Sequence, residues 1–164
     1  MKTPAEFTKN LKNNIITQEM LETALLSVNK RAKNMRDNQY YYYNIHDRYG
    51  NAENAKAKKL EFYKKKEFLL RLLKPCCIHK EIVQKHRHSA PVYYLFYQLG
   101  DHSFHSPITE GNIKKYYPNL EIKQVELDTS GKDINDLVSI QFVEKLIKLI
   151  KSKNYQYISN SDEN

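Results

Sequence analysis

The long segment between Pro4 and Pro75, which contains no proline, constrains the fold of this chain more than any other feature. Apolar residues recur in it at helical spacing, and no alternation typical of a strand interrupts them. Two long helices joined by a tight turn must fold back on each other. We therefore predict an antiparallel helical hairpin over residues 15–74. The repeating apolar residues of its first arm are Leu21, Leu25, Val28, Ala32, Met35 and Tyr42.

Local signals predict where the two helices begin and end. Thr17 suits the N-cap position of the first helix, whose apolar pattern extends to about Tyr49. Gly50 suits the position just after a helix, and Asn51 suits the N-cap position of the next. We expect the second helix to extend to about Lys74, because the proline that follows disfavours helical backbone.

After Pro75 the pattern changes to the alternation that is typical of strands. The strongest signal is Val92–Tyr97, which is rich in aromatic and branched residues. Residues 76–128 therefore predict a small, mainly antiparallel sheet with a short helix. The expected elements are a strand from Cys76 to about Val83, an exposed loop over Lys85–Ser89, the strand Val92–Tyr97, its hairpin partner Ser103–His105, a short helix over Thr109–Tyr117 and a strand over Leu120–Leu127.

The C-terminal part of the chain predicts one more helix, over residues 133–151, with Asp133 as its N-cap. Its wide apolar face is expected to pack against the sheet as the main core element. The polar residues 152–164 are expected to fray. Since the length is that of one ordinary domain, we predict a single α+β domain over residues 1–164.

The sequence also predicts a compartment. Its longest uninterrupted apolar run is Val92–Tyr97, far below the roughly 20 residues that a membrane-spanning helix needs. The N-terminal residues lack the apolar stretch of a signal peptide. Cys76 and Cys77 are adjacent, so a bridge between them would distort the peptide, and two free thiols suit a reducing compartment. Richness in Lys, Asn, Ile and Tyr is typical of AT-rich bacterial or phage genomes. We therefore expect a cytoplasmic protein of a bacterial host cell.

Six histidines and two cysteines raise the question of a metal site. Cys76 with His79, and His102 with His105, have a spacing that zinc ligands can use. However, the sequence lacks a second cysteine pair, a catalytic elbow around Ser103 and a phosphate-binding loop. We therefore predict no metal, no cofactor and no catalytic residue, so that the protein is not an enzyme. The alternative is a small enzyme built on the histidine-rich sheet.

The net charge of +8 is concentrated in the predicted hairpin. Residues 30–74 contain thirteen Lys and Arg against five Asp and Glu, a difference of +8, so the rest of the chain is neutral on balance. A basic surface favours polyanionic or acidic partners, because binding releases counterions. The charge could also serve solubility alone.

Four consecutive tyrosines, Tyr40–Tyr43, lie near the tip of the predicted hairpin. Consecutive helical residues point in different directions, so these four side chains cannot all be buried. Exposed tyrosines provide contact area at protein interfaces and can stack on bases, although two of them could instead pack across the hairpin. The residues that we expect to bind a partner are Lys30, Lys33, Arg36, Tyr40, Tyr41, Tyr43, Lys56, Lys59, Lys64, Lys65 and Lys66.

The chain also resembles a known group of proteins. The stretches Leu72–Lys80 and Tyr93–Ile108, within a layout of basic hairpin, small sheet and apolar terminal helix, look like short proteins of phages and genomic islands in low-GC bacteria. Among these, the chain is similar in size and character to type II anti-CRISPR proteins, which bind and inhibit Cas9. Many of those are acidic mimics of nucleic acid, and the charge of +8 departs from that pattern. The resemblance therefore implies binding to a protein surface, or to protein plus RNA as in Cas9 with its guide RNA, and not imitation of DNA.

Two binding functions follow from the sequence. The first is a non-catalytic protein-binding inhibitor or accessory factor of a nucleic-acid enzyme, most specifically an anti-CRISPR protein. The alternative is a direct DNA- or RNA-binding module of a mobile element that uses the basic, Tyr-rich hairpin. Neither helix shows helix-turn-helix spacing or another groove-reading motif, which favours the first function. The oligomeric state stays open.

Overall fold

The computed structural model describes residues 4–44, 49–85, 88–126 and 138–159. This part of the chain contains five helices, a two-stranded sheet and a four-stranded sheet, which confirms the predicted α+β class. In chain order the elements are α1 (Pro4–Lys12), β1 (Ile15–Thr17), α2 (Gln18–Asn44), α3 (Tyr49–Leu70), β2 (Cys77–Lys85), β3 (His88–Leu99), β4 (His102–Ile108), α4 (Glu110–Tyr116), β5 (Ile122–Gln124), α5 (Ile140–Ser152) and β6 (Gln156–Ile158).

The contacts within the chain divide it into two compact units. Met1–Leu69 and Ile134–Asn164 form the first unit, and Leu70–Asp133 form the second. The first unit contains the two long helices, α5 and the two-stranded sheet. The second contains the four-stranded sheet and α4.

The core of the first unit is built around α2. Its buried residues follow one another at helical spacing but occupy two adjacent stripes, so α2 packs against neighbours on two sides. One neighbour is α3, as predicted for a helical hairpin, and the other is α5. The fully or almost fully buried residues of α2 are Met20, Leu21, Ala24, Leu25, Ser27, Val28 and Ala32.

Helix α2 begins where the sequence predicts it. The Thr17 hydroxyl accepts a hydrogen bond from the backbone N–H of Met20, at 3.2 Å, which confirms Thr17 as its cap. The prediction of the turn is wrong, because α3 already begins at Tyr49 and Gly50 lies in its first turn. The connection between the two helices therefore falls on residues 45–48, which lie outside the described residues. Helix α3 ends at Leu70, earlier than predicted.

The first unit also contains a sheet that the sequence does not predict. Strand β1 pairs in parallel with β6, with Ile15 opposite Gln156 and Thr17 opposite Ile158. The prediction of a purely helical segment before Pro75 is therefore wrong, and so is the prediction of a frayed tail over residues 156–158. Each strand has three residues, too few for alternation to reveal it, and the pairing joins distant parts of the chain.

Helix α5 begins at Ile140 with Ser139 as its cap, since the Ser139 hydroxyl accepts a hydrogen bond from the backbone N–H of Phe142 at 3.1 Å. This start is later than predicted, and the expected cap, Asp133, lies outside the described residues. Within the first unit, α5 packs against α1 and α2. The rings of Phe7 and Phe142 lie 5.9 Å apart at the contact with α1.

Two polar side chains of α2 hold the backbone just before α5. The Ser27 hydroxyl accepts a hydrogen bond from the backbone N–H of Val138, at 3.0 Å, and donates one to the carbonyl of Thr23, at 2.7 Å. The Arg31 guanidinium donates to the carbonyl of Val138, also at 3.0 Å. These contacts pair the backbone polar groups of a buried residue that precedes the first turn of the helix.

The second unit is a sheet in the order β4-β3-β2-β5. Its first two pairings are antiparallel and β2–β5 is parallel, which confirms a mainly antiparallel sheet. Strands β2 and β3 pair as far as Lys85 opposite His88, so the predicted loop over residues 85–89 is wrong for both of these residues and for Ser89. The two residues between them lie outside the described residues.

The two faces of this sheet differ. One face is buried. The short helix α4 confirms the helix predicted near residues 109–117, and the hydroxyl of its cap, Thr109, accepts a hydrogen bond from the backbone N–H of Asn112 at 3.2 Å. The opposite face carries partly exposed aromatic and histidine side chains. The buried apolar residues of the second unit that lie on the first face, or on α4, are Ile78, Leu95, Tyr97, Leu99, Phe104 and Ile113. None of the helices in the described residues combines the length and the apolar character that a membrane span requires.

Candidate partner-binding surface

The helical periodicity of α3 separates an inward face from an outward face. The inward residues follow one another at alternating steps of three and four, which places them on one side of the helix. All of them are buried or half-buried, although two are lysines. The inward residues are Ala52, Ala55, Lys59, Phe62, Lys66 and Leu69.

Lys59 is one of the residues that the sequence predicts to bind a partner, and it lies between the two long helices. Its Nζ donates a hydrogen bond to Oε1 of Gln39 on α2, at 2.9 Å. The contact joins the second turn of α2 from its C-terminal end to the third turn of α3. The ammonium group of Lys59 is therefore engaged within the hairpin. Lys59 therefore belongs to the packing of α3 on α2.

Lys66, a second predicted binding residue, is 9% exposed. Burial lowers the pKa of its ammonium group from 10.5 to about 8, against the opposing charge of Glu67. The cause is the loss of hydration, which disfavours the charged form of a lysine. Lys66 is thus part of the interior of the first unit, and its charge is not presented on the surface.

The outward face of α3 carries an exposed apolar residue between two lysines. Leu60 is 48% exposed. Lys56 precedes it by four residues and Lys64 follows it by four, so all three side chains lie along one line of the helix. Both lysines are exposed. We call Lys56, Leu60 and Lys64 the α3 stripe.

A second pair of lysines lies at one edge of the outward face. Lys58 is exposed and Lys65 is half-buried, and their spacing of seven positions corresponds to about two helical turns. Lys58 is missing from the residues predicted to bind a partner, although this spacing could have revealed it. The exposed residues Glu61 and Glu67 lie among these lysines and lower the net positive charge of the outward face.

The predicted binding residues of α2 differ in exposure. Lys30 and Lys33 are half-buried, and each makes a further interaction. The Nε of Arg36 lies 3.8 Å from Oδ1 of Asp37. Tyr40 is 67% exposed, the largest exposed fraction among the large apolar and aromatic side chains of the described residues. The side chains of Tyr41 and Tyr43 lie outside the described part, so their prediction stays untested.

The histidines and cysteines of the second unit are arranged differently from their spacing in the sequence. His102 and His105 are three residues apart on β4, so strand alternation places them on opposite faces. Instead, Nδ1 of His79 lies 2.9 Å from Nε2 of His105. Burial, and next the charge of Lys123, lowers the pKa of His79. Among the described residues, no three His, Cys, Asp or Glu side chains converge as a metal site of three ligands requires.

The two thiols are free, as the sequence predicts. Cys76 is exposed and Cys77 is buried. Burial is the main reason why the pKa of the Cys77 thiol lies above its ordinary value. The raised pKa keeps this thiol protonated near neutral pH, which makes it a weak nucleophile and a weak metal ligand.

No protein family matches the chain. The chain likewise has no match among curated proteins or among solved structures.

Proposed function

We propose that this protein is a non-catalytic binding protein that docks the α3 stripe on an acidic surface of a partner protein. Its most specific form, which the resemblance implies, is an inhibitor of Cas9 that acts on the protein with its guide RNA. The observation that carries the proposal is the exposure of Leu60 between Lys56 and Lys64.

The chemistry of the α3 stripe supports a protein partner. Transfer of a fully exposed leucine from water into an interface is favourable by about 1.5–3 kcal/mol, and Leu60, which is 48% exposed, can contribute about half of that. Lysines at the edge of such a contact favour acidic groups on the partner and exclude basic ones. Phosphate groups would use the lysines but would gain nothing from the leucine.

Direct binding to DNA or RNA is the second candidate function. It is favoured by Tyr40, whose ring is exposed and can stack on a base, and by the pair Lys58 and Lys65, which can contact a backbone of phosphates. These residues lie in the same hairpin as the α3 stripe. The two functions therefore predict different changes in binding affinity when the Leu60 side chain is removed.

The test is a binding assay with purified Cas9, with and without guide RNA, and with nuclease-treated lysate as the source of other partners. We compare the wild type with Leu60→Ser and with the double variant Lys56→Glu/Lys64→Glu. The matched control is Lys145→Glu/Lys148→Glu, which makes the same change of charge on an exposed face of α5 in the same unit. Circular dichroism establishes that each variant is folded.

The expected result is nuclease-resistant binding of Cas9 that Leu60→Ser and the α3 double variant both weaken, and that the α5 control leaves intact. Inhibition of DNA cleavage by Cas9 should follow the same order. Binding of nucleic acid that is steeply salt-dependent and insensitive to Leu60→Ser would support the second function instead. Failure to bind Cas9 in either form would rule out the specific assignment.

A further inference from the structure

The sheet of the second unit contains a pair of histidines that the proposed binding surface does not use. His79 lies on β2 and His105 on β4, and these two strands flank the central strand β3. On β3, Tyr94 is opposite His79 and Phe96 is opposite His105. The two histidines therefore lie diagonally across β3 on one face of the sheet. Their approach across β3 follows from the pairing of three strands, which holds both backbones in place.

The distance between the two facing ring nitrogens suits a shared metal ion. Nδ1 of His79 and Nε2 of His105 are 2.9 Å apart, which also allows a hydrogen bond. Since bonds from metal to imidazole are about 2.0–2.1 Å long, two nitrogens on one ion are about 2.9 Å apart at a right angle and about 3.3 Å apart at a tetrahedral angle. The observed distance lies closest to the right-angle separation, which square-planar and octahedral ions prefer. The ring centroids are 5.0 Å apart, which places the two imidazoles almost end to end, so the rings must tilt for both nitrogens to face one ion.

Aromatic rings around the pair restrict the orientation of both imidazoles. The ring of Phe96 stacks on His79, with centroids 4.3 Å apart and planes inclined by 19°. The ring of Tyr94 meets His105 edge-on, with centroids 6.1 Å apart. Both histidines are only half-buried, so an ion and its solvent ligands can reach them. Ligands that are held in place before binding lose less freedom when the ion arrives.

We propose that His79 and His105 form a site for a divalent transition-metal ion of square-planar or octahedral preference, Ni(II) or Cu(II). Its two protein ligands are Nδ1 of His79 and Nε2 of His105. Because no third metal-binding side chain converges there within the described residues, water or a donor atom of a partner completes the coordination. The ion takes the place of the hydrogen bond between the two rings and links β2 to β4 across the central strand. The proton of the donating nitrogen moves through solvent to the other nitrogen of the same ring, so both imidazoles stay neutral.

The test is isothermal titration calorimetry of the full chain with nickel chloride. Ni(II) is chosen because the exposed thiol of Cys76 does not reduce it. The wild type is compared with His79→Gln and His105→Gln, which should each lose the tightest binding step. His102→Gln is the matched control, since His102 lies on the same strand as His105 but on the opposite face. This variant should bind as tightly as the wild type, and circular dichroism checks the fold of all three.

A second measurement keeps the test decisive if a glutamine variant fails to fold. Electron paramagnetic resonance of Cu(II) bound to Cys76→Ser, in which the exposed thiol is absent, counts the nitrogens on the ion. Two imidazole nitrogens support the proposal, and one or none overturns it. Equal Ni(II) affinity in folded wild type, His79→Gln and His105→Gln overturns it as well.

Discussion

Helices α2 and α3 are the two arms of one hairpin, yet they are built in different ways. Helix α2 buries apolar residues in two adjacent stripes and adds the polar contacts of Ser27 and Arg31 to the segment before α5. Helix α3 buries or half-buries two alanines and two lysines along its inward face, and its large apolar residues there are Phe62 and Leu69, with Leu70 buried at its end. An apolar stripe stabilises a helix in proportion to the area that it buries, so α2 contributes more to the stability of the hairpin than α3 does.

This difference shows how a charge-rich helix can remain folded on a partner helix. Lys59 donates a hydrogen bond to Gln39 on the opposite arm. Lys66 is buried instead, and burial disfavours its charged form, which lowers its pKa to about 8. The outward face of α3 is free to carry the α3 stripe because α2 supplies most of the apolar contacts. We therefore expect α2 to determine mainly the stability of the hairpin and α3 mainly the binding of a partner.

The largest expected effect is the loss of stability when a buried residue of α2 is truncated. Leu25→Ala removes most of a side chain that is fully buried and should lower the free energy of unfolding by about 2–5 kcal/mol. Urea denaturation followed by circular dichroism measures the change. Lys56→Ala, on the exposed face of α3, is the control and should change the stability by less than about 0.5 kcal/mol. A loss below about 1 kcal/mol for Leu25→Ala would contradict the dominant role of α2.

The next effect concerns Lys66. Lys66→Met keeps an unbranched side chain but removes the buried charge, so it should stabilise the protein near neutral pH. The difference between a pKa of 10.5 and one of about 8 corresponds to a gain on the order of 3 kcal/mol. Urea denaturation of wild type and variant at pH 7 gives the gain. Lys64→Met, two residues earlier and exposed, is the control and should show almost none.

The same substitution predicts a dependence on pH whose sign is fixed by linkage. The unfolded chain holds its Lys66 proton up to about pH 10.5, whereas the folded chain loses it above about pH 8. Between these values the unfolded state binds more protons, so the wild type gains stability as pH rises. The advantage of Lys66→Met should therefore be largest below pH 8 and shrink towards pH 10.5. Tyrosine and cysteine titrations are common to both chains and cancel in this difference, so an advantage that stays constant with pH would contradict a buried, charged Lys66.

A smaller effect is expected at the polar contact of α2 with the segment before α5. Ser27→Ala leaves the backbone N–H of buried Val138 without its hydrogen bond from α2, which should cost about 1–3 kcal/mol. Hydrogen exchange gives a local readout, because the Val138 amide should exchange faster in the variant. Ser152→Ala, at the exposed end of α5, is the control and should leave this amide unaffected. Unchanged protection of Val138 in Ser27→Ala would show that another group holds this segment.

The fold was predictable where the pattern is long and local. The periodicity of α2, the cap at Thr17 and the aromatic strand around residues 92–97 all rest on neighbouring residues, and the structure confirms each. The β1–β6 pair could not be predicted, because three-residue strands carry no readable alternation and their partner is remote in the sequence. The start of α5 was missed since Ser139 and Asp133 are equally good caps by residue type alone.

The candidate site was predictable only in part, because a count of charges ignores the faces of a helix. Lys66 falls on the line of Ala52, Ala55 and Leu69, and this periodicity could have indicated its burial. Leu60, in contrast, would be expected in the core from its residue type, and only the folded helix shows that it is exposed. The His79–His105 contact depends on the register of three strands, which no spacing in the sequence contains.

The smallest effect on stability, and the sharpest test of the comparison, is expected for Leu60→Ala. Since Leu60 is 48% exposed, its truncation should lower the free energy of unfolding by about 1 kcal/mol or less, in contrast with Leu25→Ala. If the α3 stripe is the contact with a protein partner, the same variant should weaken binding by about 1 kcal/mol or more, as a central interface residue does. Denaturation and binding are measured on the same preparation, so the two effects can be compared directly. A large loss of stability would make Leu60 part of the core, and an unchanged affinity would place the binding surface away from α3.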